Sequence, residues 1–586
     1  MADIKQDVLD MLRELAELTL LDEGDPQSFR VRAYESALHG VEAFAGDLAA
    51  LSAKELQRIE GVGKSTAEKI REWVEHGRVA KLATLREQYP PSLVALLRVQ
   101  GLGPKAVKRL RAELGIESLA DLERAVAEHK LRELKGFGAK SEDKLAATLL
   151  RMRAQAHDGS QRTPISVALP LAERVVARLL EVPGVTHASY CGSLRRFSET
   201  VGDIDIVVVA ETSDAVMETF TTLSVVDHVL ARGDTKSSVV TRRGTQIDVR
   251  VVSASQLGAA RLYFTGSKGH NIKLRQRALA RGLTLNEYAL ARIDDGSIVA
   301  SQTEEDVYAA LGLPFIPPVL REDAGEIEAA ERGTLPRPLG RVVGDFHVHS
   351  ALSRDARPTL EQLVAAAKER GYAALAVTDH AEGVHVGVNR AAFLEQKARV
   401  QALRTQLGDA LVVLHGVELN IGPKGELDYD AEFRRSFDFC LASVHDHFDL
   451  DRASQTQRII TAMHDPCVRM IGHLSARNIG ARPPIDLDLD AVFAAAAETG
   501  TALEINGALP RLDLSLEALR RARKYSVTLV LTSDAHEVSE LSRVQYAALQ
   551  AERAWVVPES VINVGSAERL IAWTQQKKAA VVSAAS

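Results

Sequence analysis

The stretch Gly202-Asp203-Ile204-Asp205-Ile206-Val207-Val208-Val209 decides the fold of the middle of this chain. Its β-branched run predicts a strand. Because residues i and i+2 of a strand share one face, Asp203 and Asp205 project together while the apolar residues point the other way. Two carboxylates held side by side repel each other unless a cation lies between them. The stretch therefore predicts a divalent-metal site on a β-sheet.

Residues on either side of this strand extend the predicted site. The run Gln246-Ile247-Asp248-Val249-Arg250 predicts a second strand that can bring Asp248 alongside the first pair. Three carboxylates from two strands can bridge two metal ions, the arrangement used for in-line phosphoryl transfer. Upstream, Gly192 and Ser193 offer backbone and hydroxyl donors for a phosphate, and Arg196 offers a bidentate clamp. Solvated carboxylates at a strand end would explain the Asp-x-Asp pair alone, but not this joint pattern.

With Tyr263-Phe264-Thr265-Gly266-Ser267 and Asn286-Glu287-Tyr288, these motifs resemble the family X DNA polymerases, the relatives of DNA polymerase beta. The resemblance runs to about residue 317 and implies lyase-like, fingers, palm and thumb regions in that order. It implies that Asp203, Asp205 and Asp248 hold two Mg or Mn ions, with Asp248 placed to activate the primer 3'-hydroxyl. The residues that it assigns to the nucleotide are Gly192, Ser193, Arg196, Gly202, Tyr263, Phe264, Gly266 and Asn271, and Arg275 is assigned to the template.

The first 155 residues predict helices joined by three similar glycine turns. Two glycines let the backbone turn tightly at a helix start and aim free N–H groups at a phosphate oxygen, which is the helix-hairpin-helix pattern. Residues 51–155 hold 21 Lys and Arg against 14 Asp and Glu, although the whole chain has a net charge of -7. This asymmetry favours sequence-independent binding of the DNA backbone. The glycines concerned are Gly61, Gly63, Gly101, Gly103, Gly136 and Gly138.

After residue 340, histidines and carboxylates repeatedly end short apolar strands. The alternation of strands and helices predicts a parallel barrel of the TIM type, with one strand short, whose active site lies at the carboxyl ends of the strands. Six His, two Asp and one Glu form a mixed nitrogen and oxygen ligand set that suits Zn or Mn and is too rich for one ion. The nine residues are His347, His349, Asp355, His380, Glu418, His445, His473, Asp534 and His536.

This half resembles the polymerase-and-histidinol-phosphatase (PHP) domain, a distorted barrel with a three-metal site that hydrolyses phosphoesters. The resemblance implies up to three Mn or Zn ions. It assigns His347, His349, Glu418 and Asp534 to one ion, Glu418, His445 and His473 to a second, and Asp355, His380 and His536 to a third. Fusion of the two modules resembles bacterial family X polymerases, in which the PHP domain is a Mn-dependent 3'-5' exonuclease.

We therefore expect a multidomain chain with a helical helix-hairpin-helix region, an α+β nucleotidyltransferase palm with a thumb, and a C-terminal α/β TIM-like PHP barrel. The expected boundaries are 1–85 for the lyase-like domain, 86–158 for the fingers, 159–255 for the palm, 256–317 for the thumb, 318–342 for a proline-containing linker and 343–575 for the barrel. The three cysteines are scattered without metal-binding spacing, which excludes a disulfide scaffold and a cysteine-rich zinc finger.

The expected function is a bacterial, repair-type, gap-filling DNA polymerase with a metal-dependent 3'-5' exonuclease. Its expected partners are gapped or primer-template DNA and deoxynucleoside triphosphates, and we expect a monomer. With no apolar run of about 18 residues and no signal peptide, the sequence predicts a cytoplasmic, nucleoid-associated protein without membrane contact. Lys69 lies where lyase-active family members keep a Schiff-base lysine, and a merely solvated lysine is the alternative.

Three other functions stay open at this point. The barrel could be inactive and structural beside a working polymerase, or the chain could be a small-molecule phosphatase fused to a binding module. A non-catalytic scaffold that binds DNA ends would keep the glycine turns but would have no need of Asp203, Asp205 and Asp248.

Overall fold

A computed structural model describes residues 2–25, 28–44, 48–99, 102–134, 137–138, 142, 145–146, 149 and 162–576. The chain divides into two compact units, Met1–Gln161 and Arg162–Ser586. Gly101 and Gly136, both predicted to bind the DNA backbone, lie outside the described residues. Over the described ranges, no helix combines the length and the apolar character needed to cross a bilayer.

The first unit is helical in its described part, as the sequence predicts. Apolar residues at helical spacing, such as Val8, Leu12 and Leu15, pack into a core shared by its helices. Gly77 and Gly115 end two helices in the left-handed conformation, which glycine adopts without strain. The helices span Ala2–Glu23, Phe29–Ala43, Ala53–Leu56, Lys64–His76, Ala80–Gln88, Pro91–Val94, Pro104–Leu114 and Leu119–Ala127.

The second unit begins with the palm, a mixed sheet. The strands of the palm are β1 (Thr163–Pro164), β2 (Val185–Tyr190), β3 (Thr200–Val201), β4 (Asp203–Ala210), β5 (Val226–Arg232), β6 (Lys236–Thr241) and β7 (Gln246–Val252). β1 and β3 pair as a separate two-stranded sheet. The five longer strands have the order β2-β4-β7-β6-β5, with β4 and β7 parallel. Ile204, Ile206 and Val208 are buried in the core on one face of β4, which leaves Asp203 and Asp205 on the other. The palm helices are Ile165–Leu180, Gly192–Arg195 and Asp214–Thr221.

The thumb follows the palm in the chain and packs against it. It contains a small antiparallel sheet of β8 (Leu283–Leu285), β9 (Leu290–Arg292) and β10 (Ile298–Ala300). Its helices are Leu257–Thr265, Lys268–Leu279 and Glu304–Ala310. Apolar residues of the palm and thumb belong to one core, so the two form a continuous body.

The segment 318–342 is not throughout the linker that the sequence predicts. It contains a turn of 3-10 helix at Pro318–Leu320 and a helix at Glu326–Glu331. Arg321 is fully buried and its Nη1 lies 2.6 Å from Glu304 Oε1 of the thumb. The linker prediction is wrong for these residues because a buried ion pair and a buried helix face tie them to the thumb.

The C-terminal part of the unit is a parallel barrel. Its strands, bonded in chain order, are β11 (Gly344–Asp345), β12 (Ala374–Val377), β13 (Val412–Asn420), β14 (Phe439–Ser443), β15 (Val468–Ile471), β16 (Ala502–Asn506) and β17 (Leu529–Thr532). A bridge between Val348 and Ala535 brings the first and last strands together, so the sheet is nearly closed. This confirms the TIM-like barrel with one strand short. The surrounding helices are Leu360–Glu369, Arg390–Leu407, Ala431–Arg434, Arg452–Met463, Leu489–Thr499, Leu516–Ala522, Val544–Arg553 and Ala567–Gln575.

Palm and barrel are joined by a carboxylate of the palm that lies among barrel side chains. Arg477 donates to the two carboxylate oxygens of Glu199 at 2.8 and 2.9 Å, and Gln550 Nε2 donates at 2.8 Å. Burial alone would raise the pKa of Glu199, but these bonds hold it below its ordinary value. The Glu199 carboxylate is therefore charged, and both of its oxygens accept hydrogen bonds from barrel side chains.

Replacing Glu199 by Gln should lower the free energy of unfolding of the full chain by about 3 kcal/mol, because it leaves the buried Arg477 guanidinium without its counter-charge. Urea denaturation would measure the loss. Glu181→Gln, which affects only an exposed pair with Arg178, should leave the free energy nearly unchanged. An equal effect of both substitutions would contradict a special role for Glu199.

Candidate functional site

The palm carboxylates lie on neighbouring parallel strands at the same level. Asp205 of β4 is the register partner of Asp248 of β7, and Asp203 is the partner of Gln246. Gln246 Nε2 donates to Asp248 Oδ1 at 2.9 Å, and Lys236 Nζ lies 3.3 Å from Asp248 Oδ2. The strand register, which the sequence leaves open, thus brings Asp248 beside the Asp-x-Asp pair.

The electrostatics of these carboxylates favour a bound cation. Burial and the nearby carboxylates of Asp203 and Asp248 raise the pKa of Asp205 to about 7. A divalent ion would relieve this repulsion. Where the structure describes the chain, the sets of three or more ligand atoms within 4.8 Å of one another all lie in the barrel. The palm oxygens are spaced more widely, as expected of charges that repel.

The residues predicted to bind nucleotide phosphates lie next to the carboxylates. Gly192 has φ +62°, and a Cβ there would lie 2.5 Å from Asp205 Oδ2, so only glycine allows this close approach. Ser193 follows it in the short helix Gly192–Arg195. Arg196 already donates to the carbonyl of Thr265 at 2.6 Å and to Glu322 at 3.2 Å, so a phosphate would have to share its guanidinium.

The other predicted nucleotide and template residues lie mainly around the ends of two thumb helices. The rings of Tyr263 and Phe264 meet edge to face with centroids 5.2 Å apart. Asn271 Nδ2 donates to the Tyr263 carbonyl at 2.7 Å, while its buried Oδ1 has no hydrogen-bond partner. Gly266 lies between the helices with φ +68°, and Arg275 is exposed. Gly202, between β3 and β4, directly precedes the first carboxylate.

Five of the predicted barrel ligands are imidazoles that surround Glu418, which is fully buried at the end of β13. Its oxygens lie 3.0 Å from His473 Nε2, 3.2 Å from His445 Nε2, 2.8 Å from His380 Nδ1, 3.4 Å from His347 Nε2 and 3.6 Å from His349 Nε2. Asp534 Oδ1 lies 3.4 and 3.5 Å from Nε2 of His347 and His349. Asp355 Oδ2 lies 3.4 Å from His380 Nε2 and 3.6 Å from His536 Nε2. The fold therefore gathers all nine side chains.

Four overlapping groups within this cluster have the spacing of a metal site. They are His349, His380 and His536; His347, His349 and Asp534; His347, Glu418 and His473; and His380, Glu418 and His445. His445 and His473, predicted to share one ion with Glu418, fall in separate groups that have Glu418 in common. His347, His349, His380 and Glu418 each belong to two of these groups, and Glu418 is the carboxylate among these shared ligands.

The cluster has the donor atoms that a divalent cation requires. Both oxygens of Glu418, both ring nitrogens of His349 and Nε2 of His347 are buried without a hydrogen-bond partner. Buried polar atoms are normally satisfied, so unpaired atoms that converge on one space fit a bound ion. Imidazole nitrogens with carboxylate oxygens suit Zn or Mn. The residues therefore fit a divalent-metal centre.

Two ligands of the cluster have the protonation state that metal binding requires, which is neutral for imidazole and ionised for carboxylate. Burial and the neighbouring imidazoles of His536 and His380 hold the pKa of His349 well below its ordinary value. Burial would raise the pKa of Glu418, but the surrounding imidazoles, His347 foremost, hold it well below its ordinary value. Near neutral pH these two groups are in the forms that bind a cation. For His380, by contrast, burial is outweighed by the Glu418 carboxylate, which raises the pKa to about 10, so a bound cation would replace its proton.

Sequence reasoning missed the residues that orient these ligands. Glu504, fully buried on β16, lies 2.6 Å from His347 Nδ1 and accepts a hydrogen bond from Thr532 Oγ1 at 2.6 Å. Such a partner fixes which imidazole nitrogen faces the metal. A glutamate flanked on both sides by apolar residues of the strand was the available signal. Arg511 Nε lies 3.2 Å from Asp534 Oδ2, and no sequence pattern pointed to it.

In the first unit, two glycine turns have the same geometry. Gly63 and Gly103 are helix N-caps with φ -78°, ψ 167° and φ -80°, ψ 168°, and no side chain caps either helix. Gly61 has φ +75°, and a Cβ there would lie 2.3 Å from the Ser36 carbonyl oxygen. Gly138 of the third turn accepts a hydrogen bond from the Glu142 N–H at 3.1 Å. The open helix starts leave N–H groups available to a phosphate.

The lysine predicted for lyase chemistry lies on the helix Lys64–His76. Lys69 Nζ donates to Ser65 Oγ at 2.7 Å and lies 5.9 Å from the ring centre of Tyr34. Partial burial lowers the pKa of Lys69. A lowered pKa suits an amine nucleophile, and the lyase activity stays a prediction.

Four family models match the chain. The DNA polymerase beta thumb matches residues 260–322 and the PHP domain matches residues 345–507. A helix-hairpin-helix domain matches residues 3–79, and a SAM-like helix-hairpin-helix tandem matches residues 93–149. The modules thus follow one another in the order predicted from the motifs.

Similar proteins cover the same modules. DNA polymerase/3'-5' exonuclease PolX of Bacillus subtilis is 33% identical over 566 residues, 96% of this chain and 98% of the relative. DNA polymerase lambda of Rattus norvegicus is 27% identical over 50% of this chain and 52% of its own length. A probable phosphatase of Shewanella sp. strain MR-4 is 30% identical over 33% of this chain and 75% of its own length. The chain belongs to the bacterial family X DNA polymerases that carry a C-terminal PHP domain.

Proposed function

We propose that this chain is a template-directed repair polymerase that fills gaps with its palm and removes nucleotides from 3' ends with its barrel. One observation carries the proposal: the chain aligns over 96% of its length with a DNA polymerase/3'-5' exonuclease and holds both a palm carboxylate cluster and a barrel ligand cluster. An inactive, structural barrel would not require buried ligand atoms that converge without hydrogen-bond partners. A scaffold would have no use for the palm carboxylates.

In the palm, Asp203, Asp205 and Asp248 would hold two Mg or Mn ions, which when bound supply Lewis acidity at the transferred phosphoryl group. Asp248 would accept the proton of the primer 3'-hydroxyl. The hydroxyl oxygen then bonds to the α-phosphorus, and pyrophosphate leaves. The remaining residues position the reactants: Gly192, Ser193, Arg196 and Gly202 at the phosphates, Tyr263, Phe264 and Gly266 at the sugar and base, Asn271 at the base edge, and Arg275 at the template.

The raised pKa of Asp205 predicts how metal and pH affect stability. A carboxyl whose pKa is about 7 folded and near 4 unfolded stabilises the fold when protonated, and this contribution is lost as pH rises through 7. Mg should therefore raise the melting temperature more at pH 8 than at pH 6. Calorimetry with and without a chelator would measure this.

Two variants separate the palm site from the barrel in this experiment. Asp205→Asn should remove the part of the Mg effect that differs between the two pH values. Asp234→Asn, in an exposed turn of the same sheet, should keep it. The same pH-dependent Mg effect in Asp205→Asn and in the unsubstituted chain would contradict the assignment of Asp205.

In the barrel, the nine clustered side chains would hold up to three Mn or Zn ions, which when bound supply an activated water and charge neutralisation for phosphodiester hydrolysis. Glu418 would be the shared ligand, because it has contacts to five imidazoles. Glu504 keeps Nδ1 of His347 occupied, so that Nε2 faces the cluster. The chain's own contribution is thus a fixed, charged and largely buried ligand set.

The glycine turns of the first unit would bind the DNA backbone. Lys64 and Lys105 are exposed and lie in the first turns of the helices capped by Gly63 and Gly103. Each neutralised phosphate lowers log K by about 0.9 per tenfold increase in salt, so three contacts predict a fall of about 40-fold in affinity between 50 and 200 mM salt. Fluorescence anisotropy with gapped DNA would measure the slope.

Substitution of both Lys64 and Lys105 by Gln should make this slope shallower. Lys54→Gln, which removes an exposed charge away from the capped helix starts, should change it little. A slope near zero for the unsubstituted chain would contradict backbone binding by the turns.

A gapped, 5'-labelled primer-template tests the whole proposal. With Mg or Mn and nucleotides the primer should lengthen to fill the gap, and without nucleotides it should shorten from its 3' end. Absence of both products would overturn the proposal. We further propose that the chain acts as a monomer on nucleoid DNA in the cytoplasm, which sedimentation and fluorescence imaging would test.

A further inference from the structure

A cleft of about 700 Å³ lies between the palm and the barrel within the second unit. On the palm side it is lined by Ser193 and Arg196, the residues proposed to bind nucleotide phosphates. On the barrel side it is lined by Arg477, Arg520 and Arg553. The phosphate end of the polymerase site and a group of barrel arginines therefore face one space.

Carboxylates neutralise only part of the positive charge in this cleft. Glu199 is occupied by Arg477, as described above. Glu322 accepts hydrogen bonds from Arg196 at 3.2 Å and from Arg553 at 2.9 Å, so one carboxylate faces two guanidinium groups. The lining contains five arginines and three glutamates, which leaves a net charge of +2.

Two arginines of the lining have no carboxylate partner. Arg162 donates to the hydroxyl and the carbonyl of Thr200 at 2.9 and 2.6 Å, both of which are neutral. Arg520, on the barrel helix Leu516–Ala522, is exposed and has no side-chain hydrogen bond or ion pair with any residue in the described ranges. In addition, Nε of the buried Arg553 has no hydrogen-bond partner. The cleft thus offers unused N–H donors and an unpaired positive charge.

We propose that the barrel completes the phosphate end of the polymerase site, with Arg520 binding the terminal phosphate of the incoming nucleoside triphosphate and the pyrophosphate that leaves. This inference rests on the proposed polymerase function. A terminal phosphate carries about -1.5 to -2 charges near neutral pH, and a guanidinium matches its oxygens in a bidentate manner. Arg520 would then be a nucleotide-binding residue supplied by a domain outside the polymerase core.

The observations favour a nucleotide over a DNA strand in this cleft. Its positive excess lies beside Ser193 and Arg196, where the triphosphate is proposed to bind. A DNA strand brings one negative charge per phosphate, whereas a polyphosphate concentrates several charges at one point. The compact positive charge of this cleft therefore favours a polyphosphate over a DNA strand.

Steady-state kinetics of the full chain on gapped DNA with Mg would test the proposal through three variants. Arg520→Gln should raise KM for the nucleotide about tenfold, equivalent to about 1.4 kcal/mol, with kcat within twofold. KM for inorganic pyrophosphate in the reverse reaction should rise similarly. Arg520→Lys should recover part of the affinity. Lys524→Gln, which removes an exposed charge just after the same helix and outside the lining, should behave like the unsubstituted chain.

The affinity for DNA, measured by anisotropy, separates the two possible occupants. It should stay within twofold in Arg520→Gln. Weaker DNA binding with an unchanged nucleotide KM would overturn the inference in favour of a DNA strand, and unchanged KM values in a folded Arg520→Gln protein would overturn it altogether. If the unsubstituted chain adds no nucleotides, the proposed polymerase function fails first, so the two failures are distinguishable.

Discussion

Replacing Glu418 by Gln should lower the rate of primer degradation about 1,000-fold or more while nucleotide addition remains measurable. Glu418 is buried, ionised and within 3.6 Å of five imidazoles, so it is the ligand that several metal positions would share. Glutamine keeps the shape but removes the charge, and a loss of several kcal/mol of transition-state stabilisation corresponds to this factor. The other barrel ligands make fewer contacts within the cluster, so their substitution should lower the rate of degradation less.

The measurement is loss of a labelled primer 3' end with Mn and no nucleotides, together with Mn bound per chain. Glu498→Gln on the exposed face of the helix Leu489–Thr499 is the matched control and should keep both values. Thermal melts of each variant establish that the barrel is folded. Degradation at the original rate in a folded Glu418→Gln protein would show that the hydrolytic centre lies elsewhere.

Replacing Asp248 by Asn should have the opposite effect, with nucleotide addition lowered about 1,000-fold or more and degradation preserved. Asp248 is the register partner of Asp205 and the proposed acceptor of the 3'-hydroxyl proton. Asparagine preserves the hydrogen bond from Gln246 but has neither the negative charge for a metal nor the basicity for a proton. The loss should therefore appear in kcat more than in KM for the nucleotide.

Single-nucleotide addition to gapped DNA with Mg is the appropriate measurement. Asp234→Asn removes a carboxylate from an exposed turn of the same sheet and should leave kcat unchanged. If Asp248→Asn removed degradation as well as addition in a folded chain, the two activities would share one centre. The Glu199–Arg477 contact between palm and barrel makes small cross-effects expected, because movement of one part strains the other.

The sequence by itself determined the features that depend on residues close together in the chain. Strand alternation fixed that Asp203 and Asp205 share a face, and apolar periodicity fixed the helices of the first unit. The repeated His and Asp at strand ends fixed a parallel barrel with its ligands at one rim, since every strand of such a barrel ends on the same side. The resemblance to two families added the order of the modules, which the comparisons confirm.

The tertiary structure alone decided which distant residues meet. Strand register and side-chain contacts depend on the packing of elements against each other, and the local sequence pattern does not predict that packing. It placed Asp248 opposite Asp205, and Glu504 behind His347. It also tied part of the expected linker to the thumb through Arg321, since a buried guanidinium requires a carboxylate that lies elsewhere in the chain. The cleft with its unpaired Arg520 arises in the same way, from two domains folded against each other.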